Sequence, residues 1–252
     1  MSYIKTKGIV IKEVNTGEAD KIITVFSKDR GKMSCSAKGA RRPKSRMSSG
    51  TQLLCYSEFV LFKGRDIFSI NSCDVIESFY NIRNDVEKLT FAAHMTDIIS
   101  DIIQENQPAT KVLQLFLNSL YMLAKTDKLP EQIIRIFELR LLTIIGYAPM
   151  VRGCLNCGSD SVDNLFFSFN KCAFICGNCI KDEIDTMAIS PGTAKTLNHI
   201  VYSNIKALFN FEVSECVLRE LSRISKKYLK DRLEKEYRKL DFLKALYHKS
   251  QT

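Results

Sequence analysis

The sequence has no tryptophan and only three histidines, His94, His199 and His248. None of the three stands in a metal-binding or catalytic-triad spacing, and His94, set in a helical pattern, reads as a packed side chain rather than a base. No Walker-type phosphate loop occurs; GKMSCSAKG lacks the required spacing. No paired-carboxylate motif for metal-assisted phosphodiester chemistry stands out. No run of about 18 apolar residues is present, so no membrane-spanning helix is expected. The opening MSYIKTKGIVIKEV has neither an apolar h-region nor a small-residue cleavage site, which argues against an export signal. There is no internal repeat and no low-complexity tract. These absences point away from an enzyme and toward a binding protein of the reducing cytoplasm, where the nine cysteines would be free or bound to metal.

What is present is ordinary in amount and uneven in placement. The 252 residues are 45% apolar and 26% charged, enough for two or three compact units with a sizeable core. The net charge of +9 is concentrated at the two ends: +6 over residues 1–80, −3 over 81–218 and +6 over 219–252. Focused positive charge suits a polyanion such as nucleic acid or an anionic surface, and also suits a merely solvated lysine-rich exterior.

Residues 3–77 read as five short strands: Tyr3–Glu13, Lys21–Phe26, Gly31–Ala37, Leu53–Phe62 and Asp66–Ile76. Turn signals such as SKDRG and Lys63-Gly64-Arg65 separate them. Five strands in under 80 residues suggest a small barrel; the oligonucleotide-binding (OB) type fits the count and length, and an SH3-like barrel fits almost as well. After residue 80 the apolar period becomes helical. Helices are expected over Asn84–Gln104, Thr110–Lys125 and Pro130–Gly146, the last with apolar positions on most sides and so central and buried. Pro191–Tyr202 is a further helix, and Ser214 is a candidate N-cap for a long one reaching about residue 230.

Three constellations carry chemistry. The first is Cys154-x2-Cys157 with Cys176-x2-Cys179, two glycine-flanked knuckles 18 residues apart. Four thiolates complete a tetrahedral shell, which suits Zn2+ and leaves no open position for water or substrate, so the metal is read as structural. Cys172 is a possible competitor, left out because the paired knuckles satisfy the ion. Cys35, Cys55, Cys73 and Cys216 read as small buried hydrophobes.

The second is the run CSAKGARRPKSR, whose Lys38, Arg41, Arg42, Lys44 and Arg46 could neutralise several phosphates. Tyr3, Tyr56, Phe59, Phe62 and Phe68 are stacking candidates, but they lie in strands that must also fill a barrel, which favours core over platform for most of them. The third is the basic segment from Arg219, in which Arg223, Lys226 and Lys227 recur at helical spacing with interleaved acids.

Three patterns also line up in order with a known family. GKMSCSAKGARRPKSR resembles the basic strand and loop of the bacterial RecO recombination mediators. FELRLLTIIGYAP followed by CLNCG resembles that family's entry into its zinc finger, and CGNC falls where the second knuckle belongs. The opening IKTKGIVIKEVNTGEADKIITVFSKDRGK is similar to the family's first strands. Where the family tends to carry small glycines before the second knuckle, this chain has Lys171-Cys172.

The resemblance implies an α+β multidomain protein. An OB fold would occupy 1–80, the first part of an α-helical domain 81–150, an inserted four-cysteine zinc finger 151–185, and the C-terminal part of the helical domain 186–252. It implies a cytoplasmic, nucleoid-associated, non-enzymatic protein that binds single- and double-stranded DNA and anneals strands. Such proteins engage RecR and the tail of the single-stranded-DNA-binding protein SSB, and help load the recombinase. An acidic, apolar tail peptide needs a cation beside an apolar groove. Arg135 and Arg140 on the third helix are candidates, each with Glu131 or Glu138 near enough for an internal ion pair. The competing reading is a zinc-ribbon accessory factor of transcription or translation, and strand annealing separates the two.

Overall fold

The computed structural model describes residues 3–64, 66–181 and 183–243. Arg65, His248 and the last residues of the basic C-terminal segment lie outside the described residues. The chain forms two compact units, Met1–Ala124 with Lys239–Thr252, and Lys125–Arg238.

The first unit is built on five strands: β1 (Tyr3–Thr16), β2 (Asp20–Ser27), β3 (Gly31–Ala37), β4 (Tyr56–Lys63) and β5 (Phe68–Glu77). Successive side chains of a strand point to opposite faces. Thus Met33 and Cys35 of β3 are buried while Lys32, Ser34 and Ser36 between them are not. Ser57, Phe59 and Leu61 follow the same rule on β4. The strands close into a barrel in the order β1-β2-β3-β5-β4, with β3 and β5 parallel and the other pairs antiparallel. This is the OB arrangement, and closure removes the exposed edges that would otherwise invite pairing with other chains.

β1 is long enough to serve two neighbours. Its first half pairs β4 and its second half pairs β2, with a bulge between Val10 and Lys12 that bends it from one to the other. The barrel core includes Val10, Ile23, Val25, Met33, Phe59 and Leu61. Burying each large apolar side chain there stabilises the fold by about 1.5–3 kcal/mol.

Four helices follow: α1 (Tyr80–Arg83), α2 (Val86–Ile102), α3 (Thr110–Lys125) and α4 (Pro130–Ile144). The Asp85 carboxylate caps α2 by accepting from Lys88 N at 3.0 Å. The Lys32 ammonium reaches the Ser100 carbonyl at 2.6 Å and so ties β3 to α2. Lys239 returns to pair with Asp97 at 2.7 Å, with Leu240 and Leu243 buried behind it. The four-residue α1 has no counterpart in the apolar pattern; it is a single turn entered through Phe79 at φ 46°.

The second unit is organised by α4, whose residues from Gln132 to Leu139 are all buried, the polar Gln132, Arg135 and Glu138 included. Pro130 occupies its first turn, and Gly146, at φ 101°, ends it in the left-handed conformation that favours glycine. A four-stranded sheet follows in the order β6-β8-β7-β9, from β6 (Met150–Cys154), β7 (Leu165–Ser168), β8 (Ala173–Cys176) and β9 (Thr186–Ile189). Helices α5 (Pro191–Tyr202) and α6 (Glu215–Leu233) complete the unit. Their N-caps are Ser190, accepting from Thr193 N, and Ser214, accepting from Val217 N. The Glu220 carboxylate accepts both N–H and O–H of Ser190 at 2.9 Å, joining α6 to the start of α5.

Candidate nucleic-acid interface and metal centre

The chain between β3 and β4 is not a loose tip. Its amides and carbonyls form consecutive tight turns: Arg42 N to Gly39 O at 3.1 Å, Ser45 N to Arg42 O at 3.0 Å and Ser48 N to Ser45 O at 3.2 Å. Ala40 sits in the barrel core, and Met47 packs against it. The neighbouring β1–β2 turn holds the segment from the side. Asp20 Oδ1 accepts from Gly39 N at 2.7 Å, and Ala19 O accepts from Arg41 N at 2.9 Å. With the backbone anchored inward, Lys38, Arg41, Arg42, Lys44 and Arg46 are all exposed. No ion pair engages any of the five among the described residues; Arg41 only touches the Gly17 carbonyl, at 3.4 Å. Such a preordered set of solvated cations can meet a run of phosphates without first breaking internal pairs.

The C-terminal cations are placed differently. Arg223 and Lys226 are exposed on α6. Lys227 lies between Asp185 at 3.0 Å and Asp231 at 3.5 Å, with its ammonium 4.9 Å from the Phe169 ring centroid. The hydrogen bond to Asp185 heads the causes that hold its pKa above the ordinary lysine value.

Arg135 and Arg140, the candidates for a partner's carboxylate, both have internal partners. The Arg135 guanidinium is buried and pairs with Glu138 at 2.6 Å and Glu131 at 2.9 Å. Burial alone would lower its pKa, but the two carboxylates outweigh that and hold it raised. Ser222 donates to Glu131 at 2.9 Å and Ser225 donates to Glu138, so the pair is part of an α4–α6 polar seam. Arg140 donates to the carbonyls of Ile200, Val201 and Ser203 at 2.9, 2.6 and 2.8 Å, satisfying the open end of α5.

The stacking candidates separate by strand parity. Phe59 is fully buried in the barrel, and Phe68 packs against the same core. Tyr3 is 59% exposed but stacks on Phe62 with ring centroids 4.1 Å apart, across the β1–β4 pairing. Tyr56 is half-buried.

The four knuckle cysteines come together. The Sγ atoms of Cys154, Cys157, Cys176 and Cys179 lie within 4.8 Å of one another. Ligands about 2.3 Å from one tetrahedral ion stand about 3.8 Å apart. Cys157 and Cys176 Sγ are 3.7 Å apart, so the cluster fits a metal ion. Burial pushes the Cys154 thiol up, but backbone N–H groups of Cys157, Cys176 and Asn156 outweigh it and bring the pKa down to about 6. Those N–H groups favour the thiolate that a metal requires. Gly177 keeps the second knuckle tight: a Cβ there would fall 1.9 Å from Asn164 Nδ2.

Cys172 is not part of the cluster. Its thiol donates to the Phe169 carbonyl at 3.3 Å in the β7–β8 turn. Its φ of 52° is a left-handed backbone that a glycine adopts more easily. The remaining cysteines need one correction. Cys35 and Cys55 are buried and Cys73 half-buried, but Cys216 is exposed on α6, its thiol 3.7 Å from Glu220. It lies one residue past the start of the helix, before the apolar stripe turns inward.

Comparisons with known proteins cover both units. The family model described as "Recombination protein O N terminal" matches residues 1–79, and "Recombination protein O C terminal" matches residues 83–241. A protein of Acetivibrio thermocellus named DNA repair protein RecO is 64% identical over 98% of this chain and 98% of its own. Proteins of the same name from Caldicellulosiruptor saccharolyticus and Alkaliphilus metalliredigens are 36% and 32% identical. They are matched over 98% and 90% of this chain, and over 100% and 92% of their own.

Proposed function

The chain belongs to the RecO family of DNA repair proteins, and from that premise we propose that it is a non-enzymatic recombination mediator. It binds single- and double-stranded DNA, anneals complementary strands and helps load the recombinase onto SSB-coated DNA, working with RecR and the SSB tail at the nucleoid in the cytoplasm. The observation that carries this reading is the anchored β3–β4 segment, with five exposed cations and, among the described residues, no ion pair to break. Lys and Arg that neutralise phosphates release condensed counterions, so binding is salt-dependent and indifferent to sequence. Cations meeting two strands at once screen their mutual repulsion and bring complements together.

The same reading assigns roles to the other residues. Arg223, Lys226 and Lys227 of α6 add secondary DNA contacts, with Lys227 drawn off its acids when a phosphate arrives. Arg135 and Arg140 support the SSB-tail site through the helices they join. Cys154, Cys157, Cys176 and Cys179 hold a structural Zn2+ that keeps the knuckles closed. We retain 1–80, 81–150, 151–185 and 186–252 as the functional modules. The test is annealing of two complementary fluorescent strands in the full-length protein. Acceleration that fades as salt rises supports a mediator; no acceleration at low salt removes it.

A further inference from the structure

The barrel face beside the cationic segment has a consistent chemistry. Outward residues of β2 and β3 are Ile22, Thr24, Ser34 and Ser36, in the register Ile22 opposite Ser36 and Thr24 opposite Ser34. On the flanking strands Val14 of β1 stands opposite Ile22, and Ser69 of β5 stands beside Ser36. Val14 and Ile22 are 49% and 38% exposed. Lys38 continues the outward parity of β3 into the basic segment and is exposed. The one aromatic of the two strands, Phe26, shares the outward parity of Ile22 and Thr24 but is fully buried, so among the described residues neither β2 nor β3 exposes an aromatic ring. The exposed Tyr3 ring is closed against Phe62 on the β1–β4 pairing instead.

We propose that this hydroxyl-and-aliphatic face, charged along one end by Lys38 and its neighbours, holds single-stranded DNA through its phosphates and sugars, with the bases turned outward and free to pair. The inference rests on the DNA-binding reading above and adds which part of the strand the protein grips. Single strands are commonly fixed by stacking bases on aromatic rings. A base stacked on a ring must give up that contact to stack within the new duplex, so a platform would slow annealing. Serine and threonine hydroxyls donate to phosphate and sugar oxygens without engaging base faces. The cations at the end of the face give charge complementarity with the same backbone.

A single strand carrying 2-aminopurine tests this in the full-length protein, because the emission of that base is quenched by stacking. The expected result is a rise in emission at saturation. Ile22→Trp, an outward substitution, should tighten single-strand binding about fivefold or more, quench the emission and slow annealing severalfold. Quenching by the unaltered protein would overturn the proposal while leaving DNA binding intact. Failure to bind the strand at all would remove the binding reading, and this inference with it.

Discussion

Residues 1–80 and residues 219–252 carry the same net charge of +6, and among the described residues the cations of the β3–β4 segment and those near the end of α6 are placed differently. In the barrel, five cations project from a backbone fixed by tight turns and are left to solvent. At the other end most of the cations with described partners are sewn into the protein. Lys227 meets Asp185 and Asp231, Lys230 and Arg238 share Glu236, and Arg232 donates to the Phe169 carbonyl at 3.0 Å. A formal charge count measures both as equal. What a polyanion can reach is the charge that no internal acid already holds, and on that ground we propose the first region as the binding surface and read the second as chiefly structural.

The largest effect expected from perturbing this division is loss of the proposed metal. Structural Zn2+ sites contribute about 10–16 kcal/mol in small peptides. Chelation, or Cys176→Ser, should therefore open β6–β9, read as loss of hydrogen-exchange protection across Met150–Ile189. Affinity of the barrel for single-stranded DNA should change by less than about twofold, as for independent sites. A parallel loss of affinity would break the contrast by making the second unit part of the grip.

Next comes the α4–α6 seam. Glu138→Gln removes the closest partner of the buried Arg135 and should cost about 3 kcal/mol, seen as a lowered thermal midpoint. A smaller cost is expected of Lys227→Ala, whose partly exposed pairs are worth less than about 1 kcal/mol. If Lys227 served mainly as a phosphate contact, its loss would instead weaken DNA binding without touching the midpoint.

The smallest effect sharpens the comparison through pH. Hydrogen bonds from Lys230 and then Arg238 lower the Glu236 pKa from 4.5 to about 2. A carboxylate held low in the folded state stabilises it above the unfolded value and loses that contribution as pH falls through the folded value. The stability difference between the natural chain and Glu236→Gln should thus be present above pH 4.5 and vanish as pH falls toward 2. Freed of Glu236, Lys230 and Arg238 should raise DNA affinity slightly at neutral pH.

Much of this architecture was legible in the sequence because it is locally encoded. Thr110–Lys125 and Pro191–Tyr202 form helices at the bounds their apolar periods give, and Ser214 caps α6 as its hydroxyl allows. The four cysteines announce their cluster by spacing alone. Strands β6 to β9 were not legible, because four or five residues carry too little alternation to separate from a loop. The sequence also left undecided whether the loop cations would be free and the helix cations paired. That depends on partners distant in the chain, such as Asp185 for Lys227 and Asp97 for Lys239. Aromatic roles were ambiguous for the same reason: Phe59 and Phe62 are three residues apart on one strand and face opposite sides of it.

The most direct test is the salt dependence of single-stranded DNA binding, measured for the natural chain and for Arg41→Ala with Arg42→Ala. Each phosphate contact on a single strand contributes about −0.7 to the slope of log affinity against log salt concentration. Losing two contacts should weaken binding similarly for every sequence tried and flatten the slope by about 1.4. An unchanged slope and affinity would mean that the exposed cations of the β3–β4 segment are not the phosphate grip.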